Sequence, residues 1–147
     1  MAKPLPPGPP GAFVRQWGVR GPGPNQFDGP SGIVVADDKV YVTDCQNHCI
    51  KVFTTQGDYL RQWGQSGIGP GQFEWVSGIT VADSEVYVTD WNNYRVQVFT
   101  TQGDFLRQWG EFGNNPGQFN CPEGIAVADG EVYVTDWYND QIGRAHV

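Results

Sequence analysis

The string Val-Tyr-Val-Thr-Asp occurs three times, at Val40–Asp44, Val86–Asp90 and Val132–Asp136, with a constant spacing of 46 residues. The register holds well beyond those strings: Trp17/Trp63/Trp109, Gly21/Gly67/Gly113, Phe27/Phe73/Phe119 and Gly32/Gly78/Gly124 keep it. Three copies without an insertion describe one structural unit stacked in an array. A residue present in every copy is read as scaffold. Loop positions that differ between copies are where a specific function is sought.

The middle copy reads as four short strands. Gly78–Ala82 alternates with period two and is rich in β-branched residues. Asp83-Ser84 makes a short turn before Glu85–Thr89. Asp90–Asn93 is a second turn, because Asp and Asn side chains bond their own backbone and tolerate left-handed geometry. Arg95–Thr100 and Phe105–Trp109 complete the unit, separated by Thr101–Asp104. Four antiparallel strands in a 46-residue repeat describe a propeller blade. The 20 glycines and 11 prolines agree, since they disfavour long helices and favour tight turns. Gly32, Gly78 and Gly124 open the first strand, which lines the central channel of a propeller; a missing Cβ there permits close packing.

The residues also match a known pattern. Phe-Leu-Arg-Gln-Trp-Gly at 105–110, Gly-Pro-Gly-Gln-Phe at 69–73 and Val-Tyr-Val-Thr-Asp followed by Asn93 and Arg95 closely resemble the NHL repeat. Asn47-His48-Cys49, Asn93-Tyr94-Arg95 and Asn139-Asp140-Gln141 occupy its signature segment, keeping Asn while the next two positions drift. The resemblance covers about residues 13–141 and implies an all-β fold, a β-propeller of NHL type. Members usually form six-bladed rings that serve as interaction platforms for proteins or RNA, with a minority acting as lyases or hydrolases. Three four-stranded blades are then half of such a ring. The expected blades span about 27–64, 73–110 and 119–141, the last one incomplete, with 13–18 as an outer strand. Residues 1–12 form a Pro/Gly-rich N-terminal tail.

The third repeat loses its pattern in the third strand. Lys51-Val52-Phe53 and Gln97-Val98-Phe99 are answered by Gly143-Arg144-Ala145. Ile142–Val147 followed by a stop is also what a common sequencing-library adapter encodes in one frame, and its leading AG completes a CAG codon for Gln141. Residues 142–147 are therefore expected to be a non-native tail on a natural chain that continues. Genomic resequencing past codon 140 tests this.

Charge and composition exclude some functions. The net charge of −7 and nine scattered basic residues disfavour nucleic acid, whose binders line up Lys and Arg along phosphates. No run of eighteen apolar residues exists, so no membrane contact is expected. The start of the chain lacks the apolar segment of a secretory signal. Three cysteines, Cys45, Cys49 and Cys121, lack the density of a disulfide-stapled module, which favours a reducing compartment and a cytoplasmic location.

Several constellations suggest chemistry, and each has a plainer reading. Asp44/Asp90/Asp136 with Asn47/Asn93/Asn139 recur at a turn, so turn capping is favoured over a ring of ligands. Asp37, Asp83 and Asp129 lie in different blades and would not converge on one calcium ion. Cys45, His48 and Cys49 look like part of a zinc site, but repeat substitution explains them without metal. Neither Ser31 nor Ser77 sits in a nucleophile elbow. No catalytic residue, metal or cofactor is assigned.

The aromatic signal is stronger. The turn between second and third strands shares a face with the connection entering the first strand. There the copies differ, and Trp75, Trp91, Tyr94, Trp137 and Tyr138 accumulate. Aromatic rings give contact area at low entropy cost. The resulting expectation is a non-enzymatic platform that binds a protein or peptide through these five residues. The rivals are a lyase or hydrolase whose catalytic residues lie in further blades, an RNA-binding domain, and a purely structural array. A homodimer could close a six-bladed ring.

Overall fold

The computed structural model describes residues 6–147, so the first five residues of the expected 1–12 tail lie outside the described part. Two blades carry four strands each. Blade 1 comprises Pro30–Ala36, Lys39–Asp44, Cys49–Thr54 and Tyr59–Trp63. Blade 2 comprises Val76–Ala82, Glu85–Asp90, Arg95–Thr100 and Phe105–Trp109. Blade 3 has three strands, Pro122–Ala128, Glu131–Asp136 and Gln141–His146. Within each blade the strands pair antiparallel in chain order, first to last. Between blades, two-residue parallel pairs such as Gln65–Ser66 with Gln72–Phe73 brace the connecting loop.

Local chemistry explains the meander. The hairpin at Asp83-Ser84 holds both residues at positive φ, 48° and 63°. Such a two-residue turn matches the right-handed twist of its flanking strands. Alternation then divides each blade between two neighbours. Val86, Val88, Ile79 and Phe99 of blade 2 pack with Tyr41, Ile50 and Val52 of blade 1 in one buried cluster. Tyr87, Val96 and Val98 on the other face pack with Val132, Val134 and Phe119 of blade 3. Two of the three buried clusters thus lie between blades; the third, Val40, Val42 and Phe53 of blade 1, is covered by Trp17, Phe27 and Tyr59.

The first strands meet along the inner side. Thr43 Oγ1 donates to the Ser77 carbonyl at 2.7 Å, and Thr89 Oγ1 donates to the Glu123 carbonyl at 2.7 Å. The same hydroxyls accept from the Gly32 and Gly78 N–H groups, at 2.7 and 2.8 Å. A Cβ at Gly32 would overlap the Ser77 carbonyl, and one at Gly78 the Glu123 carbonyl. Glycine is needed there because two backbones touch.

Two features depart from the expected layout. The third strand of blade 3 runs through His146, past the expected break at 141, pairing with Glu131–Asp136 in full register. Ladder hydrogen bonds are made by the backbone, so Gly143 and Ala145 hold the strand although they fill little space. Residues 13–18, expected as an outer strand, lie in no sheet. Trp17 nevertheless packs on Phe53, with ring centroids 5.9 Å apart, as Trp63 packs on Phe99 at 5.7 Å.

Candidate functional site

The aromatic face is organised by a buried carboxylate in each blade. Asp90 Oδ1 accepts from the Glu74 and Trp75 N–H groups at 3.2 and 3.0 Å. Its Oδ2 accepts from Asn93 Nδ2 at 2.8 Å, and Asn93 donates in turn to the Gly67 carbonyl. Asp44 with Asn47 and Asp136 with Asn139 repeat the arrangement. Each Asp–Asn pair therefore staples the entering loop to the turn after the second strand. Trp91 N–H donates to the Trp75 carbonyl at 2.8 Å, which sets residues 75 and 91 side by side.

The five expected residues fall into three groups. Trp75 and Trp91 meet edge to face, centroids 5.8 Å apart, on blade 2. Trp137 and Tyr138 lie 4.9 Å apart on blade 3 and are 61% and 58% exposed. Tyr94, left-handed at φ 55°, ends the tight turn of blade 2 and meets Phe112 edge to face, centroids 4.9 Å apart. Among the described residues no ring contact joins the three groups.

Phe112 was missing from the sequence-based set. It is 61% exposed and lies in the connection after the outer strand of blade 2. An apolar ring inside the polar stretch Glu111–Asn115 was the available signal. His48, at the repeat position of Tyr94, instead turns its Nδ1 to the Glu74 carbonyl at 3.0 Å. The rim of the face carries Glu74, Asn92, Asn120 and Asp140, so its polar groups are acids and amides.

The thiols are unreactive by environment. Burial pushes Cys49 up to about 11, and burial with the nearby Glu123 carboxylate pushes Cys121 up to about 11. Both therefore carry less thiolate at neutral pH than a free cysteine does. Among the described residues no group of three His, Cys, Asp or Glu side chains is placed to hold a metal.

A cavity of about 340 Å³ lies away from the aromatic face, between blades 2 and 3. Trp109, Phe119, Gly143 and Ala145 line it. Its origin is the repeat itself. Gln97 and Phe99 are fully buried at the positions that Gly143 and Ala145 occupy in blade 3.

The NHL repeat family matches residues 27–53, and a family described as 6-bladed beta-propeller matches residues 72–142. The chain carries NHL-type propeller repeats. No curated protein sequence matches it. Among solved structures, virginiamycin B lyase from Staphylococcus aureus is 25% identical with a TM-score of 0.61, covering 82% of this chain and 39% of that one. A streptogramin B lyase is 19% identical with a TM-score of 0.61, covering 78% and 36%. A nidogen/laminin complex gives 19% identity and a TM-score of 0.63, covering 82% and 44%. The chain thus spans less than half the length of each.

These findings correct one expectation. The sequence reading was of a non-enzymatic protein, because the chain has only two histidines and no nucleophile with a base. The lyase similarity at 25% identity overturns it, since related propellers are enzymes. Residue counting in three blades could not show this, because the lyase is more than twice as long as the matched part.

Proposed function

We propose that this chain of NHL-type propeller repeats binds a protein or peptide ligand on the face that carries the turns between second and third strands. The reading rests on the exposed Trp137–Tyr138 pair, whose Trp137 repeats in the next blade the turn position of Trp91, itself paired with Trp75. Indole and phenol rings offer large contact area with few rotamers to freeze, and their polar atoms stay available at the edge. The Glu74 and Asp140 rim and the net charge of −7 favour a ligand that brings basic residues among apolar ones. The nidogen/laminin complex supports protein binding on this fold, and Tyr94 with Phe112 extends the contact surface along blade 2.

The test is selection of a random-peptide display library on the purified chain, followed by titration of the selected peptide. Trp137→Ala with Tyr138→Ala is expected to weaken binding at least tenfold while β-sheet circular dichroism is unchanged. Undiminished binding by that variant refutes the assignment.

The lyase similarity supports a second reading, in which a ligand held on the same face is also turned over. Virginiamycin B incubated with the chain and followed by chromatography decides it. A product peak absent without protein supports turnover, and unchanged substrate rejects it for this chain.

A further inference from the structure

Blade 1 carries a cation where the other two blades place an acid. In blade 2, Glu85 closes a triad. Its carboxylate accepts from Tyr87 OH at 3.0 Å and from Arg107 Nη1 and Nη2 at 3.3 and 2.7 Å. The Arg107 guanidinium also lies over the Tyr87 ring, 5.9 Å from its centroid. In blade 3, Tyr133 OH donates to Glu131 at 3.1 Å. Blade 1 keeps the tyrosine and the arginine as Tyr41 and Arg61, and Lys39 takes the place of the glutamate.

The frame around the substitution is unchanged. Lys39 pairs with Ala36 and Thr54 as Glu85 pairs with Ala82 and Thr100. Tyr41, Val52 and Arg61 lie side by side in the register of Tyr87, Val98 and Arg107. Residues two apart on a strand share a face, so Lys39 projects on the side of Tyr41 as Glu85 does on the side of Tyr87. Arg61 Nε and Nη2 donate to the Thr101 carbonyl of blade 2 at 2.9 and 2.6 Å, which fixes the guanidinium in the crevice between the blades. Its Nη1 makes no hydrogen bond among the described residues. Burial pushes the Tyr41 phenol up, the Arg61 charge pulls it down and Asp37 pushes it up, so both charges border the ring. Yet neither Lys39 nor Arg61 forms an ion pair among the described residues, in a chain with 16 acids and nine Lys and Arg.

We propose that Lys39, Tyr41 and Arg61 bind the carboxylate of an external ligand, held where the Glu85 carboxylate sits in blade 2. The guanidinium supplies a fixed donor, the ammonium a second charge and the phenol a hydroxyl, so the carboxylate gains charge-assisted hydrogen bonds and relieves the repulsion between two cations. A carboxylate is the matching ligand because the same frame, two strands of identical register away in blade 2, already holds one on the same tyrosine and arginine. The site lies beside the Asp37-Asp38 hairpin, at the opposite end of the second strand from the turn at Cys45–Asn47. It is therefore remote from the aromatic face, and the inference does not rest on the ligand-binding reading given for that face.

The probe is acetate, exchanged for chloride at constant ionic strength and followed by the NMR signals of the Arg61 Nε–H, the Tyr41 ring and the Lys39 amide. Saturable shifts at these three residues are expected. Lys39→Glu rebuilds the internal triad of blade 2, so it should abolish the saturable shifts and raise the urea midpoint above that of wild type. Lys39→Gln removes a cation without supplying an acid and should weaken acetate binding at least about threefold. Glu85→Lys is the converse variant and should create a second acetate-responsive site at Arg107 and Tyr87. Shifts that fail to saturate, or that survive Lys39→Glu, overturn the proposal, as does a Glu85→Lys protein that gains no site. Inorganic phosphate that saturates where acetate does not overturns the carboxylate assignment and makes this a site for phosphoryl groups.

Discussion

Asp44, Asp90 and Asp136 occupy one repeat position and are all buried, yet each blade treats the charge differently. In blade 2 the cation is Arg95, whose Nε stands 3.7 Å from Asp90 Oδ2 and whose two Nη atoms donate to the Ile68, Gly69 and Gln72 carbonyls. Burial pushes Asp90 up and Arg95 down, toward their neutral forms, so the pair depends on those hydrogen bonds. In blade 1 the Arg95 position is Cys49, and the cation comes from two residues later. Lys51 Nζ is 3.0 Å from Asp44 Oδ2 and 2.9 Å from the Gly23 carbonyl, at the position that Gln97 fills in blade 2. Arg95→Cys alone is therefore expected to cost about 3–5 kcal/mol, because it leaves a buried carboxylate uncompensated. Adding Gln97→Lys should recover more than half of that loss, which urea unfolding of the three proteins measures. A second residue-scale test concerns pH. Arg107 hydrogen bonding holds the Glu85 carboxyl below its usual 4.5. A depressed folded value means the stabilisation is present above 4.5 and disappears as pH falls through the folded pKa. Both side chains are partly exposed, so Glu85→Gln should cost under about 1 kcal/mol at pH 7. Its urea midpoint should then fall less than wild type's as pH drops below 4.5.

At the scale of elements, the blades differ most in their turns and their fillers. Asp37-Asp38, Asp83-Ser84 and Asp129-Gly130 make the same hairpin with both residues at positive φ, and only blade 3 has glycine at the second position. Left-handed backbone strains a side chain that has a Cβ. Ser84→Gly should raise stability by up to about 1 kcal/mol, the relief of that strain exceeding the added freedom of the unfolded chain. A lower thermal midpoint for the variant would mean that the Ser84 side chain contributes something the backbone geometry does not explain. The third strand shows the opposite economy. Its ladder is complete in blade 3, while Gly143 and Ala145 leave a cavity of about 340 Å³ where Gln97 and Phe99 fill blade 2. Backbone pairing and side-chain packing are separable contributions here, and only the second is missing.

At the scale of the molecule, cores lie between blades, so stability depends on how many neighbours each blade has. Blade 2, covered on both sides, contains more fully buried side chains than either neighbour, while Ile33 and Val35 of blade 1 and Ile142 of blade 3 are exposed on the outer faces.

The repeat spacing carried most of the architecture. Strand and turn positions in blade 2, the contact glycines and the Asp–Asn staple were all legible, because each recurs at a fixed place and answers a local backbone need. Blade topology, which assigns loops to faces, is what made the five aromatic positions a candidate set. Other features were set by distance in space. Tyr94 meeting Phe112 edge to face and Lys51 replacing Arg95 across two register positions join residues whose sequence separation says nothing of their contact. The division of five aromatic residues into three groups has the same cause, because ring orientation depends on the packing around each turn. Sequence alone determined the unit and its backbone, where periodicity and turn chemistry act over a few residues. Only the tertiary structure decided which faces are covered and which side chains meet, because burial in this fold arises between blades.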